Sequence, residues 1–468
     1  MPSDSRVLRL SDMVLRRKGR PVQRLVHAVI SVALRLFFRR IETSRAHLVP
    51  VSGPLIFVLN HPNGLIDPGL VFAALPRRIS FLAKSTLFRM PVAGWLLRTV
   101  EALPLYRRAD AGEDVSRNLR TFVECRTLLA RGRCIALFPE GFSHNAPKLM
   151  PLKTGAARIA LGAAVQGLRV VPVGLYYTSK TSFRGEALLR FGEPLDVPLV
   201  EPEEDGEPPR EEVRRLSARI EEALLDVTLN VETEEQLDAA RKAERLFSSV
   251  YEGLNVKLPL AERFDFLRSL SAQLFARLSA AKNSEELSRR ILRHESELRR
   301  EGIAPENLSL SRHSRWYVLR HFLLRACALL IFLPLTTVGA LIHLPAYLVC
   351  VLLARLFPRH GVDEIAPTVR ILAAMLLMPL TWLVVAALVF YEWSWEAALL
   401  SIPVSALCGY VAMRSLEELY DMRGWFKAVL LLVRRRKLFL RLLIERRALQ
   451  DELARQEKPA RADTHAGD

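Results

Sequence analysis

The sequence predicts a mixed, largely parallel α/β sheet flanked by helices, then a helical connecting segment and C-terminal transmembrane helices. Three observations carry this reading. Between residues 49 and 200, short apolar runs alternate with helical stretches, as in successive βα units. The stretch EPEEDGEPPREE (201–212) interrupts that alternation with acid and proline, and residues 210–310 are then almost wholly helical in composition. Late in the chain, the blocks Ala326–Ala354, Ile371–Tyr391 and Ala397–Met413 contain no Asp, Glu, Lys or Arg. The expected divisions are therefore 1–48, a basic amphipathic membrane-associating helix; 49–200, the α/β domain; 201–312, a helical connector; 313–424, the transmembrane region; and 425–468, a basic amphipathic helix and tail.

Charge and cysteine usage narrow the partners. Of the net charge of +17 over 468 residues, much sits in two segments that flank apolar stretches, 1–48 and 414–456. No nucleic-acid-binding motif accompanies these basic residues, so an anionic leaflet is the expected partner and nucleic acid is not. The five cysteines form no CxxC pair, which suggests neither a zinc site nor a disulfide framework and fits a reducing, cytosolic side. Arg-rich residues precede LVHAVISVALRLFF (25–38), but Arg35 interrupts this stretch and no small-residue cleavage site follows. An interfacial helix over 20–48 is the better reading than a signal peptide.

Within the α/β domain, strands are expected at 55–59, 79–83, 101–105, 134–138, 169–177 and 187–192. Helices should begin near 67, 90, 113 and 153. Chemistry in such sheets gathers in loops beyond the carboxyl ends of the strands. The first apolar block, at 29 residues, exceeds one span and carries Pro334, Gly339 and Pro345. Basic residues flank that block on both sides and also follow the third, whereas the link at Glu392–Trp395 has none. A re-entrant first block followed by two crossings keeps every basic segment on one side.

Three loops hold candidate site residues. LIFVLNHPNGLIDPG (55–69) delivers Asn60, His61, Asn63 and Gly64 from a strand, with Asp67 close behind. A histidine at a strand end and a nearby carboxylate suit a general base whose tautomer is held by an acid. A helix cap is the plainer role for Asp67. ALPLYRRAD (102–110) presents Arg107, and arginine matches phosphate geometry. FPEGFSH (138–144) exposes Glu140, Gly141 and Ser143, and Lys153 follows at a helix start, a phosphate seat in principle.

Together NHPNGLID, PLYRR, FPEGFS and VVPVG, in this order over roughly residues 40–200, resemble the glycerolipid acyltransferase superfamily. Two departures stand out. Five residues separate His61 from Asp67, where four are usual, and Phe142 and His144 replace the common Thr-Arg. The longer gap, the helical insert and the apolar C-terminal region are similar to the branch that acylates glycerol-3-phosphate or dihydroxyacetone phosphate.

The resemblance implies a membrane-bound O-acyltransferase using acyl-CoA or acyl-carrier protein, with no cofactor and no metal. His61, oriented by Asp67, is the implied base. Arg107, Glu140, Gly141, Ser143 and Lys153 would form the phosphate site, supported by Asn60, Asn63 and Gly64. Backbone N–H groups of the Gly141 turn or of the 60–64 loop are the implied oxyanion donors. A lysophosphatidate acceptor is the alternative, a non-enzymatic membrane scaffold the rival from another class, and a lipid hydrolase a third. Ser143 as an acyl nucleophile lacks the G-x-S-x-G elbow. The expected location is multi-pass in the inner or cytoplasmic membrane, with the catalytic domain on the cytoplasmic side.

Overall fold

Five continuous apolar residues, Leu55–Leu59 (β3), are buried on both faces and form the middle of a nine-stranded sheet. The computed structural model describes residues 5–14, 21–75, 77–107, 110, 112–179, 183–204, 206–234, 236–238, 241–242, 259–278, 283–303, 315–356 and 365–457. These form two compact units, residues 1–232 with 353–372, and residues 233–352 with 373–468.

The other strands of the first unit are Ser5–Val7 (β1), Arg40–Ser44 (β2), Ile79–Lys84 (β4), Leu103–Leu105 (β5), Cys134–Leu137 (β6), Arg169–Tyr177 (β7), Glu186–Phe191 (β8) and Leu195–Asp196 (β9). They run in the order β1-β2-β8-β7-β3-β6-β4-β5, with β9 also on β7. Neighbours from β7 through β3, β6 and β4 to β5 are all parallel, whereas β8 is antiparallel to β7. Five strands therefore release their carboxyl ends along one edge. Helices cover both faces: Leu10–Val14 (α1), Pro21–Phe37 (α2), Ile66–Ala74 (α3), Pro91–Thr99 (α4), Asn118–Ala130 (α5), Gly155–Gly162 (α6) and Arg210–Val227 (α7). One core gathers α2, α3 and a sheet face around Phe38, Phe57 and Phe191. The other packs α5, α6 and α7 on the opposite face around Ile56, Leu129 and Ile135. Each fully buried side chain of this size contributes roughly 1.5–3 kcal/mol.

The helix expected over 20–48 ends early. It stops at Phe37, and Arg40–Ser44 becomes a strand parallel to β8. Arg39 N–H donates to Gly185 O, which diverts the backbone from the helix, and Glu42 is buried with its carboxylate 2.8 Å from Arg40. The outer face of α2 is an apolar stripe, with Val22, Leu25, Val29, Val32 and Leu36 exposed at alternating spacings of three and four.

At the amino end of the sheet lies a separate charge network. Glu101, in the left-handed conformation at φ 58°, accepts from Arg78 (2.6 Å), Gln23 (3.1 Å) and Arg133. Burial opposes its ionisation, but the bonds from Arg133 and Gln23 and the charges of Arg133 and Arg78 outweigh this. Its carboxyl stays below the usual range. Nearby, Cys125 on α5 and Cys134 on β6 are buried, and burial pushes both thiols up, Cys125 to about 12.

The second unit is helical: Leu260–Leu278 (α8), Asn283–Arg300 (α9), Arg315–Ile331 (α10), Leu333–Leu356 (α11), Ile365–Glu392 (α12), Trp395–Arg434 (α13) and Arg436–Glu457 (α14), with 353–372 counted in the first. Among the described residues, three stretches are long and apolar enough to cross a membrane: Leu333–Leu356, Val369–Glu392 and Trp395–Tyr420. The re-entrant hairpin expected in the first apolar block does not form. α11 is one unbroken helix with Pro345 inside it, about 36 Å long. The chain breaks earlier, at Phe332, where Pro334 falls in a first turn that needs no N–H from it. The basic helix expected over 425–456 does not begin at 425. α13 runs 40 residues out of the apolar stretch, and α14 begins only at Arg436. Its apolar face, with Phe439, Leu442 and Leu443, packs with Leu298 and Ile303, leaving Lys437, Arg441 and Ile444 outward. Inside the apolar bundle, His343 Nδ1–H donates to Gly339 O and its Nε2 accepts from Trp382 Nε1–H, each at 2.8 Å.

Candidate active site

β3 ends at Leu59, and the next six residues form a tight turn. Asn60 extends the sheet by one side chain, its amide bonding both N–H and C=O of Leu175 on β7. Ile66 N–H donates back to Asn63 O, and Gly64 takes φ 44°. This turn absorbs the extra residue between His61 and Asp67. Asp67 is not the helix cap: that position is Leu65, and Asp67 lies in the first turn with its carboxylate directed backwards. Its Oδ2 accepts from His61 Nδ1 at 2.8 Å and from Asn63 N–H at 2.7 Å. Its Oδ1 accepts from the Tyr177 hydroxyl at 2.6 Å.

Because Asp67 accepts at Nδ1, the tautomer assigned to His61 carries its proton there and leaves a lone pair on Nε2. Nε2 has no partner among the described residues. The ring is stacked on Phe138 at 4.0 Å and 15°. The His61 peptide is also held on both sides: its N–H donates to Glu140 Oε1 at 2.8 Å, and its C=O accepts from His144 N–H at 3.2 Å.

Glu140 is fully buried at the end of β6. Its Oε2 accepts from Met150 N–H at 2.9 Å and bonds the His144 ring, so this carboxylate joins the two loops rather than facing outward. His144, in place of the family's usual arginine, is thereby turned inward to Glu140. Gly141 sits at φ 82°, closing the turn with its N–H on Phe138 O at 3.0 Å. The left-handed backbone alone favours glycine there, and a Cβ would also lie 3.1 Å from Lys153 Cε. Of the expected oxyanion donors, the N–H groups of His61, Asn63 and Gly141 are therefore engaged. Those of Gly64 and Phe142 have no partner among the described residues. Ser143 is half-buried on the same turn.

Cations converge on Gly141. Lys153 lies over it, and Arg107, beyond β5, donates from Nη1 to its carbonyl at 2.9 Å. Arg107 also grips Asp110 with Nε and Nη2, and Lys84, at the end of β4, is 2.7 Å from the same carboxylate. Burial opposes ionisation of Asp110, but Arg107 and Lys84 hold its carboxyl low. Lys84, Arg107 and Lys153 against Asp110 leave an excess of two positive charges. Among the described residues, no group of three or more His, Cys, Asp or Glu side chains is placed to hold a metal ion.

Residues 40–176 match the family model described as Acyltransferase. These residues are a domain of the acyltransferase family. An uncharacterized acyltransferase of Schizosaccharomyces pombe is 26% identical over 412 residues, covering 68% of this chain and 60% of that protein. Glycerol-3-phosphate O-acyltransferase 2 of Saccharomyces cerevisiae is 26% identical over 281 residues, covering 57% of this chain and 37% of that one. A 1-acyl-sn-glycerol-3-phosphate acyltransferase of Chlamydomonas reinhardtii is 30% identical over 158 residues, covering 34% and 45%. The chain thus spans between about a third and three fifths of the length of these relatives.

The acyltransferase domain brings His61 and Asp67 together at the edge where β3 to β7 end, with Arg107, Gly141 and Lys153 along the same edge. Three residues that sequence reasoning passed over join them. Lys84 ends a parallel strand, which is the signal that could have singled it out. Asp110 lies three residues from Arg107, a spacing compatible with a pair. Tyr177 reads as an ordinary β-former, and only the fold carries it to Asp67.

Proposed function

We propose that the protein is a membrane-bound glycerolipid acyltransferase, moving a fatty acyl group from acyl-CoA or acyl-carrier protein to the hydroxyl of glycerol-3-phosphate or dihydroxyacetone phosphate. The observation that carries this reading is the open Nε2 of His61, held by Asp67 on an edge where cations converge. Nε2 takes the proton of the acceptor hydroxyl as its oxygen attacks the thioester carbonyl. The new C–O bond gives a tetrahedral oxyanion, for which Gly64 and Phe142 supply unengaged N–H groups. Collapse breaks the C–S bond, and the proton on Nε2 passes to the departing thiolate. The two excess positive charges suit a phosphate near its dianionic state, with Lys153 and Lys84 as the more available cations.

The glycerol-3-phosphate assignment draws on glycerol-3-phosphate O-acyltransferase 2 of Saccharomyces cerevisiae, whose match covers 57% of the chain and thus more than the α/β domain. Lysophosphatidate is the second reading, favoured by the higher identity of the algal relative, 30% over 158 residues. The apolar stripe of α2 and the three long apolar helices support a membrane location, with the catalytic domain on the cytoplasmic side that supplies acyl thioesters. If all three long helices cross, Arg355 and Arg370 lie across the bilayer from Arg325.

An acyl-transfer assay on the purified protein in lipid tests the reading. It offers labelled acyl-CoA or acyl-carrier protein with glycerol-3-phosphate, dihydroxyacetone phosphate or lysophosphatidate, beside His61→Ala. His61-dependent acylation of glycerol-3-phosphate is the expected result. Turnover with lysophosphatidate alone transfers the assignment to the second reading, and no transfer to any acceptor overturns both.

A further inference from the structure

Tyr177 lies one residue beyond the matched family segment, at the last position of β7. It is 3% exposed, and its hydroxyl has one hydrogen-bond partner, the Asp67 oxygen that His61 does not use. Phe38 is stacked on its ring at 5.6 Å and 26°, and Phe38 is itself fully buried at the end of α2. The phenol therefore cannot swing away without displacing core. Asn60, bonded to Leu175 two residues earlier on the same strand, fixes the register between β7 and the catalytic loop.

From this geometry we infer that Tyr177 is a positioning residue for the transfer reaction, acting through Asp67 to set both the orientation and the basicity of His61. The inference rests on the chemistry proposed above. A buried carboxylate with two of its bonds on one oxygen would leave the other unsatisfied. Tyr177 supplies that missing donor and draws negative charge away from the side facing His61. Burial, then the charge of Asp67 and the bond to it, keep the phenol protonated, so it remains a donor throughout the working pH range. The ionisable groups facing the pair are His61 and Glu140 on the two loops, with His144 behind Glu140. From α2, His27 packs on Phe72 of α3.

The sign follows directly. Without the hydroxyl, Asp67 becomes more basic and holds the imidazolium of His61 more tightly. His61 must be neutral to act as a base, so the acid limb of activity moves to higher pH. Tyr177→Phe is expected to lower kcat about 10-fold, leave both KM values within about two-fold, and raise the acid limb by about one pH unit. In an Asp67→Asn background the same change should have little further effect. Replacing Tyr177 with 3-fluorotyrosine preserves the ring and strengthens the donor, so the limb should move the other way. This second variant serves where Tyr177→Phe folds poorly.

NMR titration of the His61 imidazole, assigned by its loss in His61→Ala, reads the same link without turnover. Its midpoint should rise in Tyr177→Phe. An unchanged limb and midpoint overturn the inference. So does an equal loss of rate in the Asp67→Asn background, which would mark a merely structural role. A wild-type protein without His61-dependent transfer would defeat the functional reading, and the NMR titration would still decide the role of Tyr177.

Discussion

The two ends of the sheet handle charge in opposite ways. At the amino end, Glu101 gathers Gln23, Arg78 and Arg133 into a network whose members bind one another. At the carboxyl end, Asp67 and Glu140 are as fully engaged, yet their bonds converge on a histidine whose outer nitrogen stays open. Both clusters stabilise the fold, but the atom left over at the amino end, Arg133 Nε, is buried, whereas the one left over at the carboxyl end belongs to a partly exposed histidine. Buried charge is thus a poor marker of a site unless the atom left over in the network can be reached.

This contrast can be broken experimentally, and the largest effects should come from the carboxyl end. His61→Ala is expected to reduce acyl transfer about 10³-fold, measured as initial rate at saturating substrates, with the thermal unfolding midpoint little changed. Asp67→Asn should cost about 10²-fold, because an amide cannot accept from Nδ1–H, Asn63 N–H and Tyr177 as a carboxylate does. Lys153→Ala should raise KM for a phosphate-bearing acceptor about 10-fold and spare kcat, with salt closing the difference between variant and wild type.

The amino end should answer in stability alone. Glu101→Gln is expected to lower the unfolding midpoint by a few degrees while leaving kcat and KM within about two-fold. The pH dependence follows from its depressed carboxyl. The native state favours the charged form, so the stabilisation is present above the ordinary carboxylate value and is lost as pH falls through the lower folded one. As pH falls below the ordinary glutamate value, wild type and Glu101→Gln should progressively converge. A Glu101→Gln enzyme that kept its midpoint but lost its rate would erase the distinction between the two ends.

The sequence discloses these regions unequally. The strands β3 and β7 are continuous apolar runs, readable because both of their faces are buried. β2 is hidden, since RIETS follows an amphipathic helix without a break and its buried Glu42 depends on a neighbour, Arg40. His61 and Asp67 were legible as a pair, but the two further bonds that Asp67 accepts were not. One comes from Tyr177, 110 residues away, and the other, from Asn63 N–H four residues away, depends on how the turn folds. Arg107 was legible as a cation, whereas its bond to the Gly141 carbonyl required two separate loops to meet. The break at Phe332 was the hardest to foresee, because a proline in an apolar block marks either a kink or a helix start, and hydropathy cannot choose.

The burial of the α/β domain's cysteines has a consequence for the thioester chemistry proposed above. A surface thiolate would exchange with an acyl donor and divert the acyl group onto the protein itself. Cys125 and Cys134 are shielded by the core, which pushes their thiols up, so in that chemistry transthioesterification would not compete with the proposed transfer to a hydroxyl. Of the five cysteines only Cys327 is exposed, on α10. Alkylating reagents should therefore leave catalysis intact and mark a single position on the chain.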